Sequence, residues 1–109
     1  IRRANAFVEA GADCVFIPGV TAPNLVRTLV GEVAAPLNLV VGLGSSPVGP
    51  RELLELGVQR VSVGGSIARA AYGFIRACLA ELRERGTIGY AAAQIPQGEL
   101  NAVFARARV

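Results

Sequence analysis

Short apolar runs recur along this chain, each closed by glycine and each followed by a helical pattern. The runs are Cys14-Val15-Phe16-Ile17-Pro18-Gly19, Leu37-Asn38-Leu39-Val40-Val41-Gly42 and Arg60-Val61-Ser62-Val63-Gly64-Gly65. Their last glycines, Gly19, Gly42 and Gly65, are evenly spaced (42−19 = 23 and 65−42 = 23). On that period Val15, Asn38 and Val61 fall in register, as do Ile17, Val40 and Val63. The first run is continuous rather than alternating, the pattern of a parallel strand buried on both faces. Leu37 to Val41 predicts a second strand and Val58 to Val63 a third.

The intervening stretches carry helical spacing. Residues 2–10 place Ala4, Phe7, Val8 and Ala10 on one stripe, and Gly11 supplies a stop. Thr21 reads as the N-cap of a helix that starts at Ala22-Pro23 and runs to about Val33, with Leu25, Val26, Leu29, Val30 and Val33 inward. Pro50 to Leu56 forms a short helix stopped by Gly57. Ser66 reads as the N-cap of a long helix to about Arg85, stopped by Gly86. Thr87 to Gly98 is expected as loop, and Glu99 to Arg106 as a last short helix.

A second sign of repetition supports the spacing. Glu9 to Gly19 resembles Glu55 to Gly65, displaced by two periods (55−9 = 46). Consecutive βα units build parallel sheets through right-handed crossovers. The two common outcomes are a (β/α)₈ barrel and an open doubly wound sheet, and the uniform repeat favours the barrel. The fold class is therefore α/β, with three C-terminal βα units of a TIM-type barrel followed by a helical tail. Residues 1–109 are read as one partial domain, with barrel units over 1–86 and the tail over 87–109. An eight-unit barrel takes about 250 residues, so five further units are expected upstream. Alone, such a sheet has two open edges and an uncovered inner face, and is expected to be marginally stable.

Composition narrows the function classes. The chain is 52% hydrophobic and 17% charged, enough for a modest core. Arg, Glu, Gly or Pro interrupts every apolar run before it reaches membrane-spanning length. No secretory signal is visible, and a cytoplasmic location is expected. The net charge of +3 rests on arginine without lysine. Those arginines are mostly scattered and lack interleaved aromatics, which argues against nucleic acid as a partner. Cys14 and Cys78 are expected as buried reduced thiols, and without histidine they form no metal site by themselves.

Ligands in both candidate architectures bind at the carboxyl ends of the strands. The loops there are Pro18–Thr21, Gly42–Gly49 and Gly64–Ser66, with Thr21, Ser45, Ser46, Ser62, Ser66 and Arg69 as their polar inventory. Asn38 stands out, because an amide inside an apolar strand needs hydrogen-bond partners and costs about 1–3 kcal/mol when left without them. It is either a structural amide or a barrel-interior contact to a substrate oxygen. Gly64, Gly65 and Ser66 before a long helix are either a tight turn or an anion cradle. The Gly42–Gly49 loop is either a connector or a mobile cover, and Gly73, inside the long helix, offers close packing against a neighbour. Catalytic residues are absent from the reading: no His or Lys is available as a base, and no pair of acids sits at strand ends. Glu81 and Glu84, near a helix end, are expected in solvent.

Three stretches together resemble one known family. They are Arg3-Ala-Asn-Ala-Phe-Val-Glu-Ala-Gly-Ala-Asp-Cys-Val-Phe-Ile-Pro-Gly-Val, Pro36-Leu-Asn-Leu-Val-Val, and Glu52-Leu-Leu-Glu-Leu-Gly-Val-Gln-Arg-Val-Ser-Val-Gly-Gly-Ser-Ile-Ala-Arg-Ala-Ala-Tyr. With the exit Ala80-Glu-Leu-Arg-Glu-Arg-Gly-Thr-Ile, they are similar, in order and spacing, to the isocitrate lyase/phosphoenolpyruvate mutase superfamily. The resemblance implies a (β/α)₈ enzyme that makes or breaks C–C bonds, or rearranges C–P bonds, in small 2-oxo acids or related carboxylates. It implies Mg²⁺ stabilising an enolate-like intermediate, with the metal's acids and the catalytic loop on earlier strands, outside this chain. Asn38 matches a strand Asn that binds substrate carboxylate in better-known members. Pro18 stands where those members often carry Glu, and Val40-Val41-Gly42-Leu43 replaces their Thr-Glu-Phe-Gly-like segment, which leaves the lyase, mutase and hydrolase branches open. The family also exchanges its last barrel helix between subunits, which implies a homo-oligomer with Ser66–Arg85 at the interface. Two other readings stand beside this one: a phosphate-binding barrel using Gly64, Gly65 and Ser66, and a non-catalytic remnant that serves as an interaction module.

Overall fold

The structure is a computed structural model that describes residues 1–44 and 48–106. It divides into two compact units, Ile1–Arg69 and Ala70–Val109.

The first unit alternates helix and strand. Helix α1 (Arg2–Glu9) leads into β1 (Val15–Phe16), α2 (Pro23–Glu32) into β2 (Leu37–Val40), and α3 (Pro50–Glu55) into β3 (Arg60–Ser62). The strands form one parallel sheet in the order β1-β2-β3. Gly11 and Gly57 end α1 and α3 with φ +99° and +97°, a left-handed backbone open to glycine at little cost. Pro23 and Pro50 sit in the first turns of α2 and α3, where a missing N–H removes no helical bond.

One sheet face makes the core. Val15, Leu37, Leu39 and Val41 alternate onto it and meet Ala4 of α1, Val26 of α2 and Leu53 of α3 in two adjoining clusters. Leu39, Leu53 and Val26 are fully buried. Phe16, Asn38, Val40, Arg60 and Ser62 alternate onto the other face and belong to neither cluster. A clasp the sequence did not announce closes the helix side: Asn5 donates from Nδ2 to the Glu32 carbonyl at 2.9 Å and accepts the Ala34 N–H at 3.1 Å. At the start of the sheet, Gln59 Oε1 accepts the Leu37 N–H at 2.8 Å.

Several expectations are corrected. The ladder joins Phe16 to Asn38 and Asn38 to Arg60, so it advances by 22 residues per strand (38−16 and 60−38). The 23-residue period therefore does not give the pairing, and Val15, Asn38 and Val61 are not aligned. At the end of the third strand the positive-φ glycine is Gly64 (φ +53°) rather than Gly65, whereas Gly19 and Gly42 (both +80°) fill that place after the first two. Only β2 is buried throughout. In β1, Phe16 is 52% exposed, since an edge strand lacks a neighbour on one side. Leu25, expected inward, is also exposed, as is Phe7 of the α1 apolar stripe. Thr21 does not cap α2: Ala22 occupies the cap position and supplies no side-chain bond. Ser66 is the first helical residue of α4 rather than a residue before it. Cys14 is exposed and Cys78 half-buried, both as free thiols, because neither lies in a core cluster.

The second unit is helical. Helix α4 (Ser66–Arg85) begins in the first unit and continues into the second, followed by a 3₁₀ turn (Gly89–Ala93) and α5 (Gln97–Arg106). The 3₁₀ turn falls where loop was expected, and α5 starts two residues earlier than Glu99. Neither α4 nor α5 has a buried residue. Nothing lies within contact distance of a side chain built at Gly73, so that glycine makes no close packing here. Glu81 is held rather than free: its Oε1 accepts from the Thr87 hydroxyl and the Gly89 N–H, each at 2.6 Å. Those bonds, Thr87 first and Gly89 second, with the Tyr90 backbone and the Arg85 charge, hold its carboxyl below the usual range against the opposing effect of desolvation.

Candidate functional site

The carboxyl ends of β1 and β2 border a cleft of about 290 Å³ lined by Gly19, Thr21, Val40, Val41, Gly42 and Leu43. Its shape comes from glycine turns. A side chain built at Gly42 would meet Ser66 Oγ at 2.7 Å, so the end of β2 packs directly on the first residue of α4. A side chain built at Gly64 would meet Leu43 Cδ2 at 2.9 Å and Val40 Cγ2 at 3.6 Å. Leu43 therefore covers the backbone at Gly64, whereas nothing lies within 4 Å of a side chain built at Gly65. Residues 45–47 of the expected Gly42–Gly49 loop, including Ser45 and Ser46, lie outside the described residues.

Asn38 lies in the middle of β2, on the face away from the helices, two residues before Val40. It is 7% exposed, the one buried polar residue among those described. Its Oδ1 is buried and has no hydrogen-bond partner among the described residues. An amide oxygen so placed carries the full desolvation cost without compensation, roughly 1–3 kcal/mol. Its cross-strand neighbours on the same row are Phe16 on β1 and Arg60 on β3, both exposed. Two residues further along β3, Ser62 donates from its hydroxyl to the Leu39 carbonyl at 3.3 Å. The structure thus places Gly64, beside Val40, and Ser66, beside Gly42, at the carboxyl end of the sheet, with Asn38 two residues further inside β2.

Sequence reasoning missed Arg60 because a charged residue at the head of an apolar run reads as a strand boundary. The signal that finds it is the ladder register, which places it beside Asn38. Among the described residues, no group of three or more His, Cys, Asp or Glu is arranged to hold a metal ion. No helix of the described residues is long and apolar enough to cross a membrane.

Comparison with known proteins places these features. The family model described as phosphoenolpyruvate phosphomutase matches residues 1–83. Two uncharacterized proteins from strains of Mycobacterium tuberculosis are 41% identical over 66 residues, which is 59% of this chain and 24% of theirs. A proposed lyase/mutase from Burkholderia cenocepacia superposes with TM-score 0.87 at 39% identity, covering 95% of this chain and 38% of that one. Oxaloacetate acetylhydrolase bound to its product oxalate superposes with TM-score 0.72 at 28% identity, over 89% of this chain and 33% of its own. 2,3-Dimethylmalate lyase, a PEP mutase/isocitrate lyase superfamily member, gives TM-score 0.72 at 26% identity, over 97% and 41%. The chain thus spans about a quarter of the curated relatives and well under half of the solved structures it matches. Its small parallel sheet is like part of the barrel fold of that superfamily, and the chain belongs to the phosphoenolpyruvate phosphomutase family.

Proposed function

We propose that this chain forms three βα units of a (β/α)₈ lyase- or mutase-type enzyme acting on small 2-oxo acids or related carboxylates. The observation that carries the substrate reading is a buried side-chain amide, Asn38, on the helix-free face of an otherwise apolar strand. In a closed barrel that face is the interior, and the cleft at the ends of β1 and β2 is at the mouth where ligands bind. The Asn38 amide can donate from Nδ2 to a carboxylate oxygen, fixing the substrate's orientation. A role of that kind speeds a reaction by positioning rather than by proton transfer.

The stagger of the sheet supports barrel closure. Gly11 and Gly57 end equivalent helices 46 residues apart (57−11), yet the ladder from Phe16 to Arg60 spans 44 (60−16). The difference of two residues over two strand steps is one per strand. Eight strands at that stagger give a shear of eight, the value of a closed eight-stranded barrel. Exposed Phe7 and Phe16 along the β1 edge fit a further strand and helix packed there.

The superfamily is generally Mg²⁺-dependent, but the described acids of this chain do not form a metal site. The ion, and the catalytic acids with it, would belong to other strands. Helix α4 presents Tyr72, Ile75, Leu79 and the stems of Arg76 and Arg83 along one stripe. That unburied stripe supports a homo-oligomer with Ser66–Arg85 at its interface, in a cytoplasmic enzyme. The test of the substrate reading is Asn38→Ala in the full-length protein, assayed on a panel of 2-oxo acids and their adducts. Loss of one charge-assisted bond lowers kcat/KM by about tenfold or more. Unchanged kinetics with every accepted substrate would overturn the role of Asn38.

A further inference from the structure

We infer that Arg60 is a positioning residue for the Asn38 amide, an inference that rests on the carboxylate-binding reading above. Asn38 and Arg60 are direct cross-strand partners in the β2–β3 ladder and share the helix-free face. Neighbouring strands lie about 4.8 Å apart, which puts the Asn38 amide within easy span of an arginine side chain. Asn38 Oδ1 needs a donor and finds none among the described residues. Arg60 carries donors only, and in this structure its side chain is exposed and makes no bond to another described residue. On the other flank, Phe16 has neither donor nor acceptor to offer.

The pairing decides what the amide presents to a ligand. An unanchored amide can turn over and offer either its oxygen or its nitrogen. With Oδ1 accepting from the guanidinium, Nδ2 is committed as the free end, a donor suited to carboxylate oxygens and unsuited to donor groups. Covering the face with further strands dehydrates both groups and strengthens the bond between them. Arg60 then acts through Asn38 and does not itself touch the ligand.

Calorimetric titration of the full-length protein with oxalate, taken as a minimal dicarboxylate probe, tests this in a double-mutant cycle. Arg60→Met and Asn38→Ala are each expected to weaken oxalate binding by about tenfold or more. The double variant is expected to bind no more weakly than Asn38→Ala alone, because the arginine's effect runs through the amide. Arg60→Gln, which keeps a donor and loses the charge, is expected to stay close to wild type, and it carries the test if Arg60→Met does not fold. A full additional loss from Arg60→Met in the Asn38→Ala background overturns the inference, since it means a direct contact or a long-range charge effect. So does a folded Arg60→Met variant that binds like wild type, or an Arg60→Gln variant as weak as Arg60→Met. If instead Asn38→Ala binds oxalate like wild type, the carboxylate reading itself falls, and the positioning role with it.

Discussion

In Ile1–Arg69 the strands and helices converge on Leu37, Leu39, Leu53 and Val26, none more than 1% exposed; in Ala70–Val109 not one described residue is buried. The two units use apolar residues in similar abundance but in different ways. The first buries one sheet face under three helices, so its stability comes from dehydrated contacts between distant segments. The second shows Tyr72, Phe74, Ile75, Leu79, Val103 and Phe104 to solvent. What holds it is local: the helical ladder of α4, twenty residues long, and the Glu81 carboxylate closing the turn behind it. The lesson is that apolar content alone says nothing about where a core lies, because the same apolar stripe serves a core or a contact with another chain or segment.

The comparison can be broken at its strongest point first. Leu39→Ala removes a fully buried side chain from the central strand and is expected to cost about 2–5 kcal/mol, read by chemical denaturation. Next come two glycines with nearly equal backbone. Gly57→Ala places a methyl group 2.9 Å from Val30 Cγ1 at φ +97°, whereas Gly11→Ala at φ +99° meets nothing. Both pay for the left-handed backbone, about 1–2 kcal/mol. Gly57→Ala should cost measurably more, and equal losses would show that Val30 yields freely.

The local clasp is read through pH. The folded carboxyl of Glu81 lies below its ordinary value of 4.5, so the stabilisation is complete above that value and is lost as pH falls through the lower, folded one. The Gly89 amide resonance should therefore move in the acid range, and Glu81→Gln should flatten that titration while leaving the Leu39 region unchanged. The smallest effect on folding is expected from Leu79→Ala. That side chain is 60% exposed, and surface changes of this kind stay within about 0.5 kcal/mol. A drop in oligomer mass for Leu79→Ala, measured by sedimentation, would assign the α4 stripe to an interface between copies.

Much of the first unit was legible in the sequence. Gly11, Gly57 and the prolines opening α2 and α3 punctuate it, and their conformational roles follow from covalent structure. Asn38 was legible too, as an amide in an apolar run. The register was not, because a sequence period counts residues per unit while the ladder also includes the tilt of the strands. That one-residue difference concealed Arg60 as the neighbour of Asn38. Exposure of Phe7, Phe16 and Leu25 was likewise hidden, since helical or strand spacing identifies an apolar face without identifying what covers it. The Asn5 and Glu81 clasps involve partners 29 and 8 residues away, beyond the reach of local capping rules.

The one-residue stagger also constrains how such a sheet can be copied. Successive side chains along a strand point to opposite faces, so a segment of one βα unit, duplicated in tandem, turns every inward residue of the template outward in its copy. Val15 and Val61, which correspond to Asn38 in the 23-residue spacing, both lie on the helix-packed face. Two units together restore the facing. The smallest piece that can be duplicated with its hydrophobic pattern intact is therefore the 46-residue pair that separates Gly11 from Gly57. Grafting a second amide into such a barrel follows the same parity: beside Asn38 it belongs at Phe16 or Arg60, and at Val15 or Val61 it would be driven into the helix layer.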